Sequence, residues 1–183
     1  MKTAITGGIG SGKSYVCHLL EQRGIVIYDC DKAAKRLMRT SDTICRQLTS
    51  LIGSDAYDAI GRPNKAVITR FLMAAPENAL AINDIVHPAV ADDFVQSQIQ
   101  WMECAILYES GFDCLVDRVI AVTAPEEVRI ERIMKRDGIS RQKAMEWMAQ
   151  QWTQEELVKR ADAVILNDGI VPLVSQIERI LNT

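Results

Sequence analysis

Gly7-Gly8-Ile9-Gly10-Ser11-Gly12-Lys13-Ser14 fits the pattern G-x-x-x-x-G-K-[ST] at every required position. Glycines let a backbone wrap a phosphate chain with its N–H groups pointing inward, and they take φ values that other residues avoid. Lys13 then puts charge on the β- and γ-phosphates, and Ser14 offers a hydroxyl to Mg²⁺. The flanks agree with this reading. Lys2-Thr-Ala-Ile-Thr6 reads as a short strand, and Tyr15-Val-Cys-His-Leu-Leu-Glu-Gln22 reads as a helix. That order aims the positive helix N-terminus at the anion.

Working outward, strands alternate with helices. The expected strands are Lys2–Thr6, Ile25–Tyr28, Met102–Leu107, Arg118–Thr123 and Ala163–Leu166. Arg118–Thr123 is β-branched and almost continuously apolar, as a strand covered on both faces should be. Residues 31–97 hold no strand signal. Their apolar positions recur at helical spacing, as in Val67, Ile68, Phe71 and Leu72, then Leu80, Ile82, Ile85 and Val86. Pro76 suits the first turn of a helix, and Ala124-Pro-Glu-Glu127 opens another with acids in its first turn. The expected fold is α/β: a five-stranded parallel sheet with helices on both faces, a helical insertion and a helical lid. One domain covers residues 1–183. Its core is 1–30, 100–133 and 160–183, the insertion is 31–97, and the lid is 134–160.

Composition narrows the classes. A chain of 183 residues that is 48% hydrophobic suffices for one sizeable core. A net charge of −3 makes no electrostatic case for nucleic acid. No apolar run reaches membrane-spanning length, and the first strand begins too early for a signal peptide. The five cysteines are scattered without a C-x-x-C pair, which points to reduced thiols in a cytoplasm.

Two further clusters carry chemistry. At the end of the second strand stands Tyr28-Asp29-Cys-Asp31, and in open parallel sheets ligands sit at the carboxyl ends of strands. One carboxylate of the pair can hold Mg²⁺ through water and the other can accept a hydroxyl proton. The alternative is that one of them caps the helix starting near Lys32. After the fourth strand, Arg129, Arg132 and Arg136 share a helical face, followed by Asp137-Gly138. Charge there would stabilise a phosphoryl group in flight, and the break at Gly138 would begin a flap. Arg129, close to Glu126 in sequence, is expected to be a solvated charge worth no more than about 0.5 kcal/mol. Gln151 is expected to be an exposed helix glutamine, and Trp101 a core residue, with Trp147 and Trp152 open between stacking and packing.

With these segments in place the chain resembles the dephospho-coenzyme A kinases, from Thr6-Gly-Gly to Ala161-Asp…Asn167-Asp-Gly169. The specific features are their order: Asp-x-Asp, Ile-Val-His87-Pro88, Leu-Tyr-Glu109, Ala124-Pro-Glu-Glu, Arg132-x-x-x-Arg136-Asp137 and Gln151. The resemblance implies ATP-dependent phosphorylation of the ribose 3′-hydroxyl of dephospho-coenzyme A, with ATP and Mg²⁺ as donor and cofactor. It implies that Asp31 is the base, that Lys13 and Arg132 serve the transferred phosphoryl group, and that Arg136 belongs to the lid. Gly8, Gly10, Ser11, Gly12, Lys13, Ser14, Tyr15, Arg136 and Asn167 are implied to bind nucleotide, with Ser14 on the metal. Asp31, Lys65, His87 and Glu109 are implied to bind the acceptor. Ala105, Lys65 and Trp147 stand where many members carry Pro, Arg and Arg; lysine keeps the charge but loses the bidentate fork. The expected partners are these small molecules alone, without nucleic acid or membrane, in a monomer or weak homo-oligomer. A kinase of another small alcohol and a non-catalytic nucleotide module remain the alternatives. A regulatory GTPase is disfavoured because no Asn-Lys-x-Asp segment occurs.

Overall fold

The computed structural model describes residues 1–182. Five strands form one sheet: β1 (Thr3–Thr6), β2 (Ile27–Asp29), β3 (Trp101–Glu103), β4 (Arg118–Thr123) and β5 (Ala163–Leu166). Their order across the sheet is β2-β3-β1-β4-β5, and β1 pairs in parallel with both β3 and β4, as β4 does with β5. Register places Ile5 beside Ile120 and Val122 beside Ile165. These four are buried with Val16, Cys17 and Leu20 of α1 (Lys13–Glu21) and Ile177 and Ile180 of α9 (Leu173–Leu181). The alternate residues Ala4, Val119 and Ala121 point to the opposite face and are buried as well. Burial on both faces is why β4 reads as an unbroken apolar run.

The chain divides into two compact units: residues 1–28 with 99–183, and residues 29–98. The second is helical: α2 (Cys30–Thr40), α3 (Asp42–Ile52), α4 (Lys65–Ala74) and α5 (Glu77–Ser97). Ile82, Val86, Val90 and Phe94 recur every four residues along α5 and are buried, as are Ile44 and Leu48 of α3. Arg36 of α2 pairs with Asp93 of α5 at 2.5 Å. Pro76 has helical φ and ψ and sits at the N-cap of α5. The apolar spacing in α4 does give a helix, yet none of its residues is fully buried, and Met73 is among the most exposed apolar side chains.

The first unit also contains α6 (Glu126–Asp137), α7 (Arg141–Met148) and α8 (Gln154–Arg160). Glu126 and Glu127 lie in the first turn of α6, where acids favour the dipole. Gly138, left-handed at φ 66°, ends that helix, and Ser140 caps α7 by accepting from the Lys143 N–H. Two strand expectations need correction, the first because β2 begins at Ile27 instead of Ile25 and ends at Asp29 instead of Tyr28. β3 stops at Glu103, and Ala105 to Ser110 form turns in place of further strand. The run Ala105-Ile-Leu107 is apolar because Leu107 is buried beneath these turns.

Candidate active site

The phosphate-binding loop leaves β1 at Thr6 and enters α1 at Lys13, as its spelling requires. Gly12 is the N-cap, left-handed at φ 84°. A Cβ there would run into Nδ2 of Asn167, so both conformation and space demand glycine. Asn167 follows β5 and is buried; its Nδ2 donates to the Ser11 carbonyl at 2.9 Å. Its Oδ1 accepts from Nη2 of Arg132 at 3.3 Å. Nη1 of Arg132 reaches the Gly10 and Ser11 carbonyls, both at 3.3 Å. Arg132 and Asn167 thus share the far side of the loop, and the long contacts leave guanidinium N–H groups able to turn to an anion. The Tyr15 N–H is bonded to the Gly12 carbonyl at 3.0 Å as the first helical turn closes.

Ser14 donates its hydroxyl to Oε1 of Glu103 at 2.9 Å. Glu103 ends β3, the strand beside β1, and the sequence reading passed over it in favour of Asp29, Asp31 and Glu109. The missed signal was positional: an acid ending the strand next to the phosphate-loop strand. Burial pushes the Cys17 thiol up, and its hydrogen bond to the Glu103 carboxylate adds to the shift. The thiol is therefore an inert donor that helps hold this carboxylate.

Asp29 takes the capping role: it is the N-cap of α2, and its Oδ1 accepts from the Lys32 N–H at 2.9 Å. Burial pulls its carboxyl up, but the Lys32 backbone, side chain and charge outweigh this and hold it below the usual range. Asp31, in the first turn of α2, has a side chain 75% exposed and ion-paired to Lys35. In the same unit, Lys65 is the first residue of α4, and His87 lies within α5, half-buried, beside the in-helix Pro88. Burial holds the His87 imidazole below its ordinary value, and Asp84 offsets part of that.

Two expectations fail in the helical region after β4. Arg129 is not a solvated charge: it is 5% exposed, and its Nε donates to the Ile9 carbonyl at 2.9 Å. Burial lowers its pKa, and Glu126 and Glu155 pull it back. Nor is Gln151 an exposed helix residue. It lies beyond α7, half-buried, and its Oε1 accepts from the Ile9 N–H at 2.7 Å. Arg136 keeps to the surface, paired with Asp137 at 2.7 Å. Trp101 is half-buried against the sheet core, and Trp147 packs on Ile130, Ile133 and Ala144. Trp152 stacks on Tyr108, with ring centroids 5.2 Å apart. Glu109, next to Tyr108, accepts from the Trp152 N–H at 3.3 Å.

Residues 1–172 match the family model described as dephospho-CoA kinase. A dephospho-CoA kinase of Bacteroides fragilis is 41% identical over 184 residues, covering 97% of this chain and 89% of that protein. A crystal structure from Thermus thermophilus superposes with a TM-score of 0.82 at 30% identity, covering 100% of this chain and 94% of the other. The shikimate kinase of Aquifex aeolicus, at TM-score 0.58 and 16% identity over 100% and 95% of the two chains, shares the fold. The phosphate loop, the arginine and asparagine behind it, and a family match across nearly the whole length leave one assignment: the chain belongs to the dephospho-CoA kinase family.

Proposed function

We propose that the protein transfers the γ-phosphoryl group of ATP to the ribose 3′-hydroxyl of dephospho-coenzyme A, giving ADP and coenzyme A. The observation that carries this reading is the loop itself, with Arg132 on the Gly10 and Ser11 carbonyls and Ser14 on Glu103, in a chain of this family. Lys13, the first residue of α1, supplies the charge that balances the transferred group, and the N-terminus of α1 adds its dipole. Arg132 meets the charge that develops on the equatorial oxygens. Asp31 accepts the proton of the attacking hydroxyl, exchanging its exposed partner Lys35 for substrate. Lys65 and His87 are read as acceptor contacts, Glu109 as an acidic residue near them in role, and Arg136 and residues 134–160 as the lid.

The Ser14 hydroxyl and Glu103 carboxylate are hard oxygen donors that suit Mg²⁺, which takes one or two protein ligands and completes its shell with water and phosphate. Among the described residues no group of three His, Cys, Asp or Glu gathers into a protein-only metal site, in keeping with that mode. When bound, Mg²⁺ would be held by the Ser14 hydroxyl and the Glu103 carboxylate and would neutralise charge on the phosphates. No helix among the described residues is long and apolar enough to cross a membrane, and the five cysteines are free. We read the setting as cytoplasmic on that thiol chemistry.

Asp31→Asn tests the assignment in an ADP-release assay run with dephospho-coenzyme A, adenosine, AMP and no acceptor in parallel. Turnover confined to dephospho-coenzyme A in the wild type, with kcat lowered about 10²–10⁴-fold in the variant, is expected. Turnover preferring another alcohol would remove the substrate reading, and unchanged kcat in Asp31→Asn would remove the base.

A further inference from the structure

Ile9 is the only loop residue between Gly8 and Gly10, and both polar groups of its backbone are taken by side chains from distant parts of the chain. Its N–H donates to Oε1 of Gln151 at 2.7 Å, and its carbonyl accepts from Nε of Arg129 at 2.9 Å. Its side chain packs against Ile130, Ile133 and Ala144, together with Trp147 and Met148. The neighbouring glycines make the approach possible. A Cβ at Gly8 would lie 2.5 Å from the Arg129 guanidinium, and one at Gly10 would lie 2.7 Å from the Arg129 carbonyl oxygen.

Gln151 is itself held in place through its neighbour. Trp152 lies nearly parallel to Tyr108, at 13°, and the Arg160 guanidinium stands 4.7 Å above the indole and 5.5 Å above the phenol. Glu109 accepts from the Trp152 backbone N–H. A stack of this kind with a cation on it is worth more than its buried area. It fixes where the next residue upstream can place its carboxamide. Neither Gln151 nor Arg129 is part of the phosphate-loop pattern.

We propose that Gln151 is a positioning residue for triphosphate binding, seated by the Tyr108–Trp152–Arg160 stack, with Arg129 as its counterpart on the peptide plane that follows Ile9. A phosphate loop works by presenting successive backbone N–H groups toward one point, so rotation of one peptide plane misdirects those that follow. The Ile9 N–H and carbonyl lie in the two peptide planes on either side of its Cα, so holding both sets the loop before ATP arrives, and a preset loop binds without an ordering cost. The clamp ties the affinity for ATP to the chain beyond α7. The inference rests on the ATP-dependent reading above.

The test compares Gln151→Leu, Gln151→Glu and Trp152→Ala with wild type, measuring MgATP binding by calorimetry without acceptor, then KM and kcat for each substrate, and Tm. Gln151→Leu leaves the Ile9 N–H without its acceptor and should raise both the Kd and the KM for ATP about tenfold. Its kcat and its KM for dephospho-coenzyme A should stay within about twofold. Gln151→Glu keeps an acceptor oxygen and should restore most of the affinity, while Trp152→Ala should fall between. ATP affinity within twofold of wild type in Gln151→Leu would overturn the proposal. So would an equal loss for both substrates, or a failure of Gln151→Glu to rescue. Wild-type protein that binds MgATP but does not turn over dephospho-coenzyme A would instead overturn the substrate reading, leaving the binding comparison intact.

Discussion

Replacing Glu103 separates its charge from its hydrogen bond. Glu103→Gln keeps an oxygen that can accept from the Ser14 hydroxyl, now 2.9 Å away, but removes the negative charge. Hydrogen bonds to charged groups contribute about 1.5–3 kcal/mol against about 0.5–1.5 for neutral ones, so the amide should forfeit about 1–2 kcal/mol. At 1.36 kcal/mol per tenfold, that lowers kcat/KM about 5- to 30-fold. Glu103→Ala removes the acceptor altogether and should cost about 10- to 150-fold by the same arithmetic. A coupled ADP-release assay at saturating dephospho-coenzyme A, with free Mg²⁺ varied, reads the effect. The apparent affinity for Mg²⁺ should weaken in the order wild type, Gln, Ala, because the group lost is a hard anionic oxygen beside the hydroxyl proposed to hold the metal. Glu109→Gln is the control: its carboxylate is engaged with the Trp152 N–H, and Mg²⁺ dependence should not change. If both Glu103 variants matched wild type in rate and Mg²⁺ dependence, the Ser14–Glu103 pair would be a structural contact and the metal would sit elsewhere.

Three other outcomes follow from the geometry. Arg129→Met should lower unfolding stability by about 1.5–3 kcal/mol in a urea titration, through loss of a part-buried charge-assisted bond to the Ile9 carbonyl; a change under about 0.5 kcal/mol would restore the solvated-charge view. Arg132→Ala should depress kcat and kcat/KM together by about 10²–10³-fold with ATP binding little changed, whereas loss of Arg136, a surface partner of Asp137, should weaken ATP affinity as well as rate; equal effects that vanish at moderate salt would indicate diffuse attraction. His87, held by burial below its ordinary 6.5, is protonated more readily in the unfolded chain, so its contribution is complete above 6.5 and is lost as pH falls through 6.5 toward the folded value; His87→Gln should flatten the fall in Tm between about pH 7.5 and about pH 5.5.

What the sequence displayed follows from how far apart the interacting groups are. The phosphate loop is a local pattern, and β4 and β5 fall on the expected bounds: β4 because a β-branched run covered on both faces carries its own signature, and β5 as a short apolar run although Val164 and Leu166 are exposed at the sheet edge. The third strand overran because an apolar run of turns and one of strand look alike over four residues. Asp29 settled as a cap for a reason also written locally, an acid three residues before the N–H it accepts.

The residues that escaped share a different property. Arg129 and Gln151 lie 120 and 142 positions from Ile9, and both bond to its backbone. Asn167, which only the family resemblance brought to the site, bonds the Ser11 carbonyl in the same way across 156 positions. Every residue except proline offers the same N–H and C=O, so a contact of this kind imposes no matching residue type at the far end. An arginine in a helix rich in glutamate then reads as surface, although it is buried against a loop peptide. The Ser14–Glu103 contact is different in kind, because both ends are side chains of a required chemistry and the acid must end the strand beside β1. Such a pair can be sought from sequence once the strand order is assumed; the grip on Ile9 cannot, because what it recognises is the shape of a loop and not the letters in it.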